Sequence, residues 1–316
     1  MNSTTHYKFM EATGKLQYNM TNDYMFRTVI QRDKETLIGI ICSVLQIPRE
    51  LILNVKIENP IVPGESIEDK EYQLDILVSL NDNTFINLEM QVVNYNNWPM
   101  RSLAYLCRKY DNLHKGVDYL EIKPVYHIGF IDFTLFENHP EFFAKYQIRN
   151  AKDNYLYTDK FNLFVIELNH INLATAEDKT YGLDTWAKLF KAKTWEEIKM
   201  ITKDNPSMNS TAENIFKSNS DEQIRELCRR REDQIAHENY QKNLINKLSS
   251  ENEQLSSENE QLSSENEQLS SEKEQLSSEN EQLSSENEQL SSEIEQLSSE
   301  NERLKKLLEK NNILIN

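Results

Sequence analysis

A three-layer α/β domain, a mixed sheet with helices on its faces, followed by a long heptad-repeat extension is the fold class that the sequence predicts. Three observations predict it. Helix-spaced apolar segments and short β-rich runs follow one another in the order helix, three strands, helix, strand, and a sheet covered by helices is the economical way to bury such elements. A turn signal, Asn81-Asp82-Asn83, stands between two of the β-rich runs and marks a hairpin. Beyond them a leucine recurs every seven residues from Leu248 to Leu304, the mark of a coiled coil.

Taken in order, residues 23–45 place Met25, Phe26, Val29, Ile30, Leu37, Ile40, Ile41, Val44 and Leu45 at helical spacing. One long helix is expected there, capped by Thr21 or Asn22 and ended by Pro48. Residues 51–58 are β-rich and stop at Asn59-Pro60, and Pro63-Gly64 marks a loop. Two strands, 72–80 and 84–93, follow as the hairpin. Residues 100–113 put Leu103, Leu106, Cys107 and Tyr110 on one helical face, with Gly116 as the stop. A strand over 122–132 comes next, and residues 133–200 predict one further strand, 161–168, and two helices, one carrying Trp186 in its apolar stripe. Ser220-Asp221-Glu222-Gln223 has a capping-box pattern before a charged helix through Arg229-Arg230-Arg231. The expected divisions are an N-terminal segment 1–20, a folded domain 21–240 and a tail 241–316.

Charge is distributed unevenly. The chain of 316 residues carries a net −17; residues 249–316 hold seventeen Glu against five Lys or Arg, or −12, which leaves −5 for the rest. There is no broad basic field, so contact with nucleic acid must come from local clusters. Cys42, Cys107 and Cys228 are odd in number, lack CxxC spacing and sit in apolar segments, which predicts buried free thiols in a reducing cytoplasm. The N-terminus lacks the apolar core of a signal peptide and no apolar run approaches a membrane span. No membrane partner and no organic cofactor are expected.

With leucine at d in the tail, the a positions are Asn252, Asn259, Asn266, Lys273, Asn280, Asn287, Ile294 and Asn301. Asparagine at a favours a parallel dimer and fixes register while lowering stability, so a weak homodimeric coil is expected. The alternative is an acidic, solvated spacer that is only partly helical.

The residues that point to chemistry lie in the hairpin. Side chains of a strand alternate faces, so Glu89 and Gln91 share one face, and the hairpin can bring Asp75 beside them. Two carboxylates suit a hard divalent ion, Mg2+ or Mn2+, with Asp75 and Glu89 as ligands and Gln91 orienting water or touching a phosphate. The plain alternative is that Glu89 and Gln91 line the solvated face of a hairpin. An acid at the edge of an apolar run, as Asp75 is, needs a partner or a metal. Arg101 and Arg108 are placed to face a phosphate backbone or to be solvated or ion-paired, His127 reads as a core or edge histidine rather than a base, and Arg229-Arg230-Arg231 reads as a charged helix face beside acidic residues rather than a DNA-binding cluster.

Several segments, in order, also carry a resemblance: Asn22-Asp23-Tyr24-Met25-Phe26-Arg27, Leu74-Asp75-Ile76-Leu77-Val78, Ile86-Asn87-Leu88-Glu89-Met90-Gln91, Arg101-Ser102-Leu103-Ala104-Tyr105, Gly116-Val117-Asp118-Tyr119, Lys123-Pro124-Val125-Tyr126-His127-Ile128 and Phe164-Val165-Ile166-Glu167-Leu168, then the Trp186 helix. Over residues 18–240 the chain resembles the PD-(D/E)xK nuclease family transposases, also called Rpn or recombination-promoting nucleases. The resemblance implies a restriction-endonuclease-like αβββαβ core and metal-dependent cleavage of double-stranded DNA. In it Asp75 matches the strand aspartate, Glu89 the second carboxylate, and Gln91 the position often held by lysine. Many members of the wider superfamily add an acid on the first helix, for which Asp23, Asp33 and Glu35 are candidates. The competing expectation is a nuclease fold without catalysis, acting as a binding protein whose coil is a scaffold. Strand transfer is not expected, since no helix-turn-helix or zinc motif is present to bind DNA ends.

Overall fold

Asn22 caps a helix, its side chain accepting from the backbone N–H groups of Tyr24 (3.1 Å) and Met25 (3.2 Å). In the computed structural model, which describes residues 8–58, 61–62, 72–73, 76–81, 83–111, 113, 115–203 and 205–310, the helix expected over 23–45 is two helices, α1 (Asp23–Arg32) and α2 (Lys34–Leu45). Asp33 breaks it. Its backbone is extended (φ −130°, ψ 101°) and its carboxylate caps Glu35 N (3.0 Å) and accepts from Thr36 Oγ1 (2.6 Å). The apolar spacing continues across the break, so periodicity alone did not reveal it. α2 ends at Gln46 in the left-handed region (φ 56°), before Pro48.

The six-stranded sheet runs in the order β1-β4-β5-β6-β8-β7, from β1 (Val55–Ile57), β4 (Ile76–Leu80), β5 (Thr84–Gln91), β6 (Val125–Ile131), β7 (Phe143–Gln147) and β8 (Phe161–Glu167). A separate two-stranded ladder joins β2 (Ile61–Val62) to β3 (Tyr72–Gln73). The expected hairpin is present: Leu80 pairs with Thr84 and Ile76 with Leu88, and Asn81 turns the chain at φ 50° while its Oδ1 accepts from Leu53 N (2.8 Å). β5, β6 and β8 are parallel neighbours, and β7 lies antiparallel at the edge. The stretch 133–200 thus holds two strands rather than one. β7 went unseen because an edge strand reading Phe-Ala-Lys-Tyr-Gln, with only Ala144 buried, gives no clean alternation.

Helix α3 (Trp98–Tyr110) makes the crossover from β5 to β6 and covers one face of the sheet, where Trp98, Leu106, Val125, Ile131, Leu163 and Val165 form a core. It starts before and stops short of the expected 100–113, because Pro99 suits the first turn, and Gly116 (φ 89°) turns the chain farther on. On the opposite face lie α1, α2, α4 (Ala176–Thr180), α5 (Leu183–Lys191), α6 (Trp195–Thr202) and α7 (Pro206–Ser220). Phe26, Phe130 and Phe190 meet there at ring separations of 5.2–5.7 Å. The expected order of helix, three strands, helix, strand holds for the main sheet in a three-layer α/β arrangement, with α1 and α2 in place of the first helix and the β2–β3 ladder, which takes Tyr72 and Gln73 from the expected 72–80 strand, added to it.

Of the thiols, Cys228 is buried, Cys42 half-buried and Cys107 exposed. Cys107 departs from expectation because α3 buries Trp98, Ser102, Tyr105 and Leu106, and the next residue is turned about 100° away from that stripe. Burial pushes the Cys228 thiol up to about 12.

The chain divides into two compact units, residues 1–239 and 240–316. Helix α8 (Glu222–Lys310) starts in the first and makes up the described part of the second. Asp221, rather than Ser220, caps it, accepting from Gln223 N (3.0 Å) and Ile224 N (3.3 Å) while Ser220 bonds back to Phe216 O. In the second unit the nine heptad leucines stand 51–62% exposed on a single helix. Among the described residues no helix is long and apolar enough to cross a membrane.

Candidate active site

Glu89 and Gln91 lie on the face of β5 that α3 covers, and both are buried. That excludes the solvated-hairpin reading. A carboxylate 2% exposed requires compensation, and Arg101 gives it: Glu89 Oε1 accepts from Arg101 Nε (2.8 Å) and pairs with Nη2 (2.7 Å). The guanidinium also lies 4.9 Å from the centre of the Tyr105 ring. Arg101 reaches Glu89 because the start of α3 sits very close to the sheet. Gly129 pairs with Glu89 across β5 and β6, and a Cβ built on Gly129 would fall 2.0 Å from Trp98 Cζ2. Only a glycine admits that indole, and the indole seats the turn that carries Arg101.

His127 is fully buried beside them, its Nε2 3.5 Å from Glu89 Oε2. Burial, reinforced by the charge of Arg101, pushes His127 down to about 3, so the ring is neutral and the contact with Glu89 is not an ion pair. Asn87 Nδ2 donates to Nδ1 (2.9 Å), which leaves the ring proton on Nε2, an atom that makes no hydrogen bond among the described residues. The expectation of a core histidine holds, with the addition that it is aimed at Glu89. Gln91 Nε2 donates to Val93 O (2.9 Å), which fixes the amide along its own strand.

A cavity of 630 Å³ opens over these residues, and Asp23, Arg27, Glu89, Gln91, Tyr95, Arg101, Arg231 and Glu238 line it. Asp23 Oδ2 accepts from Arg231 Nε (2.6 Å), Arg231 lies 3.9 Å from Glu238, and Tyr95 donates to Glu238. Burial first, and that bond second, push the Tyr95 hydroxyl up to about 12. The three first-helix acids are thereby separated. Asp23 faces the cavity; Asp33 is spent on the helix break and on Asn214 Nδ2 (3.1 Å); Glu35 pairs with Arg49 on the surface (3.4 Å). Arg101 lines the cavity and Arg108 does not. A hollow of 710 Å³ beside Tyr18 and the first turns of α8 is larger, but its acids Glu222 and Glu226 are not buried.

Arg231 is the residue that sequence reasoning missed. Arg229 and Arg230 hold Glu226 on the surface (both 2.9 Å), as a charged helix face should, and only Arg231 turns inward. The signal was present, since Arg231 follows the buried Ile224 and Cys228 at helical spacing and Glu238 continues the same stripe. Asp75 lies outside the described residues; Ile76, which follows it, pairs with Leu88, next to Glu89. Among the described residues no group of three or more His, Cys, Asp and Glu side chains is arranged to hold a metal ion. The carboxylates that line the cavity, Glu89, Asp23 and Glu238, are hard oxygen ligands of the kind magnesium and manganese take.

A family model described as PD-(D/E)XK nuclease family transposase matches residues 20–244. A second, described as FAZ1, C-terminal, matches the tail over 249–283, 270–304 and 284–310. The three starts are 21 and 14 residues apart, whole numbers of heptads, so that likeness lies in the repeat itself. No curated protein and no solved structure matches the chain.

Proposed function

The chain belongs to the PD-(D/E)XK nuclease family transposases, and from that premise we propose that it is a metal-dependent endonuclease that hydrolyses phosphodiester bonds of double-stranded DNA. The observation that carries this reading is Glu89, a buried carboxylate at the floor of a cavity lined by three arginines, Arg27, Arg101 and Arg231. Glu89 and Asp75 are assigned as ligands of Mg2+ or Mn2+, with Asp23 as the first-helix acid. A divalent ion bound there would ease the deprotonation of water and offset the charge that builds on the phosphate. The oxygen of that water bonds to phosphorus, the bond from phosphorus to the leaving oxygen breaks, and a proton ends on the departing hydroxyl. Gln91, with one amide hydrogen held by Val93, orients the attacking water through its carbonyl oxygen. His127 packs its neutral ring against Glu89, 3.5 Å from Oε2, and closes that side of the carboxylate to water.

The tail is assigned to a parallel homodimer. In a parallel pair the asparagines at a face each other and each glutamate at g faces a serine at e, whereas antiparallel pairing would set glutamate against glutamate. A second reading, a nuclease fold retained for binding alone, draws on the Glu89–Arg101 pair, which is also what a purely structural ion pair would look like.

Purified protein is expected to nick supercoiled plasmid in Mg2+ or Mn2+ and to stop in EDTA. Asp75→Ala and Glu89→Gln are each expected to slow nicking about 100-fold or more. Cleavage by Asp75→Ala at the parent rate would remove Asp75 from the site. Absence of both nicking and Mn2+ binding in the parent protein would favour the second reading.

A further inference from the structure

Each described carboxylate assigned to the metal is held by its own arginine, and the two pairs are built alike. Glu89 accepts from Arg101 through Nε and Nη2, and Asp23 from Arg231 through Nε. The guanidinium side chains are 37% and 27% exposed, more than the acids they hold, at 2% and 20%. Counting Arg27 and Glu238, the described lining carries three acids and three arginines, and their charges cancel. A dication settling on the acids would therefore leave the cavity with an excess of positive charge, which is what an incoming phosphodiester requires.

Metal and guanidinium compete for the charge of the same carboxylates, Arg101 Nε and Nη2 lying on Oε1 of Glu89 and Arg231 Nε on Oδ2 of Asp23. A guanidinium released from a carboxylate presents a planar fork that matches the two non-bridging oxygens of a phosphodiester. The Tyr105 ring under Arg101 lets the guanidinium shift across the aromatic face and keep its cation–π contact. We propose that Arg101 and Arg231 are the phosphate-binding residues of this site, serving as counter-ions of Glu89 and Asp23 until a metal takes the carboxylates and then holding the phosphodiester. The inference rests on the nuclease reading of the same cavity, and it names the source of the positive charge that Gln91, a neutral amide, does not supply.

The test measures two affinities in the full-length protein: Mn2+ by isothermal titration calorimetry, and a short DNA duplex by fluorescence anisotropy in Ca2+. Arg101→Met and Arg231→Met are each expected to bind Mn2+ several-fold more tightly, because a competitor is gone. Each is also expected to bind the duplex more weakly, losing about one unit from the slope of log affinity against log salt. Opposite movement of the two affinities is the signature of exchange. Residues that only hold the fold would weaken both together, and that result, or no movement in either, overturns the proposal. Where Arg101→Met leaves Glu89 uncompensated and the protein does not fold, Arg231→Met at the more exposed pair carries the same test. Failure of the nuclease reading is a separate result, a parent protein that does not bind Mn2+, whether or not it binds the duplex.

Discussion

Gly129 shows how a single missing methyl group places a charged side chain elsewhere. Its Cβ would collide with Trp98, an indole 1% exposed in the core, so Gly129→Ala must push α3 off the sheet or force the indole from its rotamer. A loss of about 1–3 kcal/mol in urea-melt stability is expected, together with weaker Mn2+-dependent nicking as Arg101 moves. Unchanged stability would mean that Trp98 has room to retreat. Glu167, at the end of β8, bears a different cost. Burial pushes it up to about 7, partly offset by the Leu135 N–H. A carboxylate raised in the folded state contributes stability that is complete below its ordinary value and is lost as pH rises through the folded value. Between about pH 4.5 and 7 the melting temperature of the parent should fall relative to that of Glu167→Gln, and parallel curves for the two would refute the assignment. At this scale the alternation of Glu89 and Gln91 was legible in the sequence. The environment of Glu89 was not, because its partners Arg101 and His127 come from other elements.

Among the elements, the order of the main-sheet strands β1, β4, β5 and β6 and of the helix between the last two was readable from apolar spacing, whereas the β2–β3 ladder and the break between α1 and α2 were not. Asp33 interrupts a continuous apolar stripe by bonding its own next turn, which no count of hydrophobic positions detects. Replacing it with alanine removes the cap of α2 and the acceptor that Thr36 and Asn214 share, leaving Thr36 to Thr211 Oγ1 and Asn214 to Ser210 O. A cost of about 1–2 kcal/mol is expected from denaturant unfolding, and a change below the error of the melt would show that the break holds without its cap. Helix α8 teaches the complementary lesson. Three consecutive arginines look like one basic patch along the sequence, yet 3.6 residues per turn send Arg231 to Asp23 and leave Arg229 and Arg230 on Glu226.

For the whole molecule, the acidic tail and the mildly acidic remainder are separate problems in charge. Residues 249–316 carry −12 of the net −17, so association of two tails works against repulsion that salt screens. The mass from light scattering is therefore expected to rise toward a dimer as salt goes from about 0.05 to 0.5 M. Deletion of 249–316 should give a monomer at both salts that retains Mn2+ binding. A deletion mutant whose mass stays dimeric would remove self-association from the tail. The repeat also bears on how two such tails would find each other. A leucine every seven residues, with asparagine at six of the eight a positions between Leu248 and Leu304, means that sliding one copy by a whole heptad restores nearly every contact and forfeits only the overhang. Alignment then resembles a ladder with rungs of almost equal energy. Lys273 and Ile294 within the repeat, and Ile245 and Leu308 at the a positions just beyond its ends, are the marks by which one rung differs from the next.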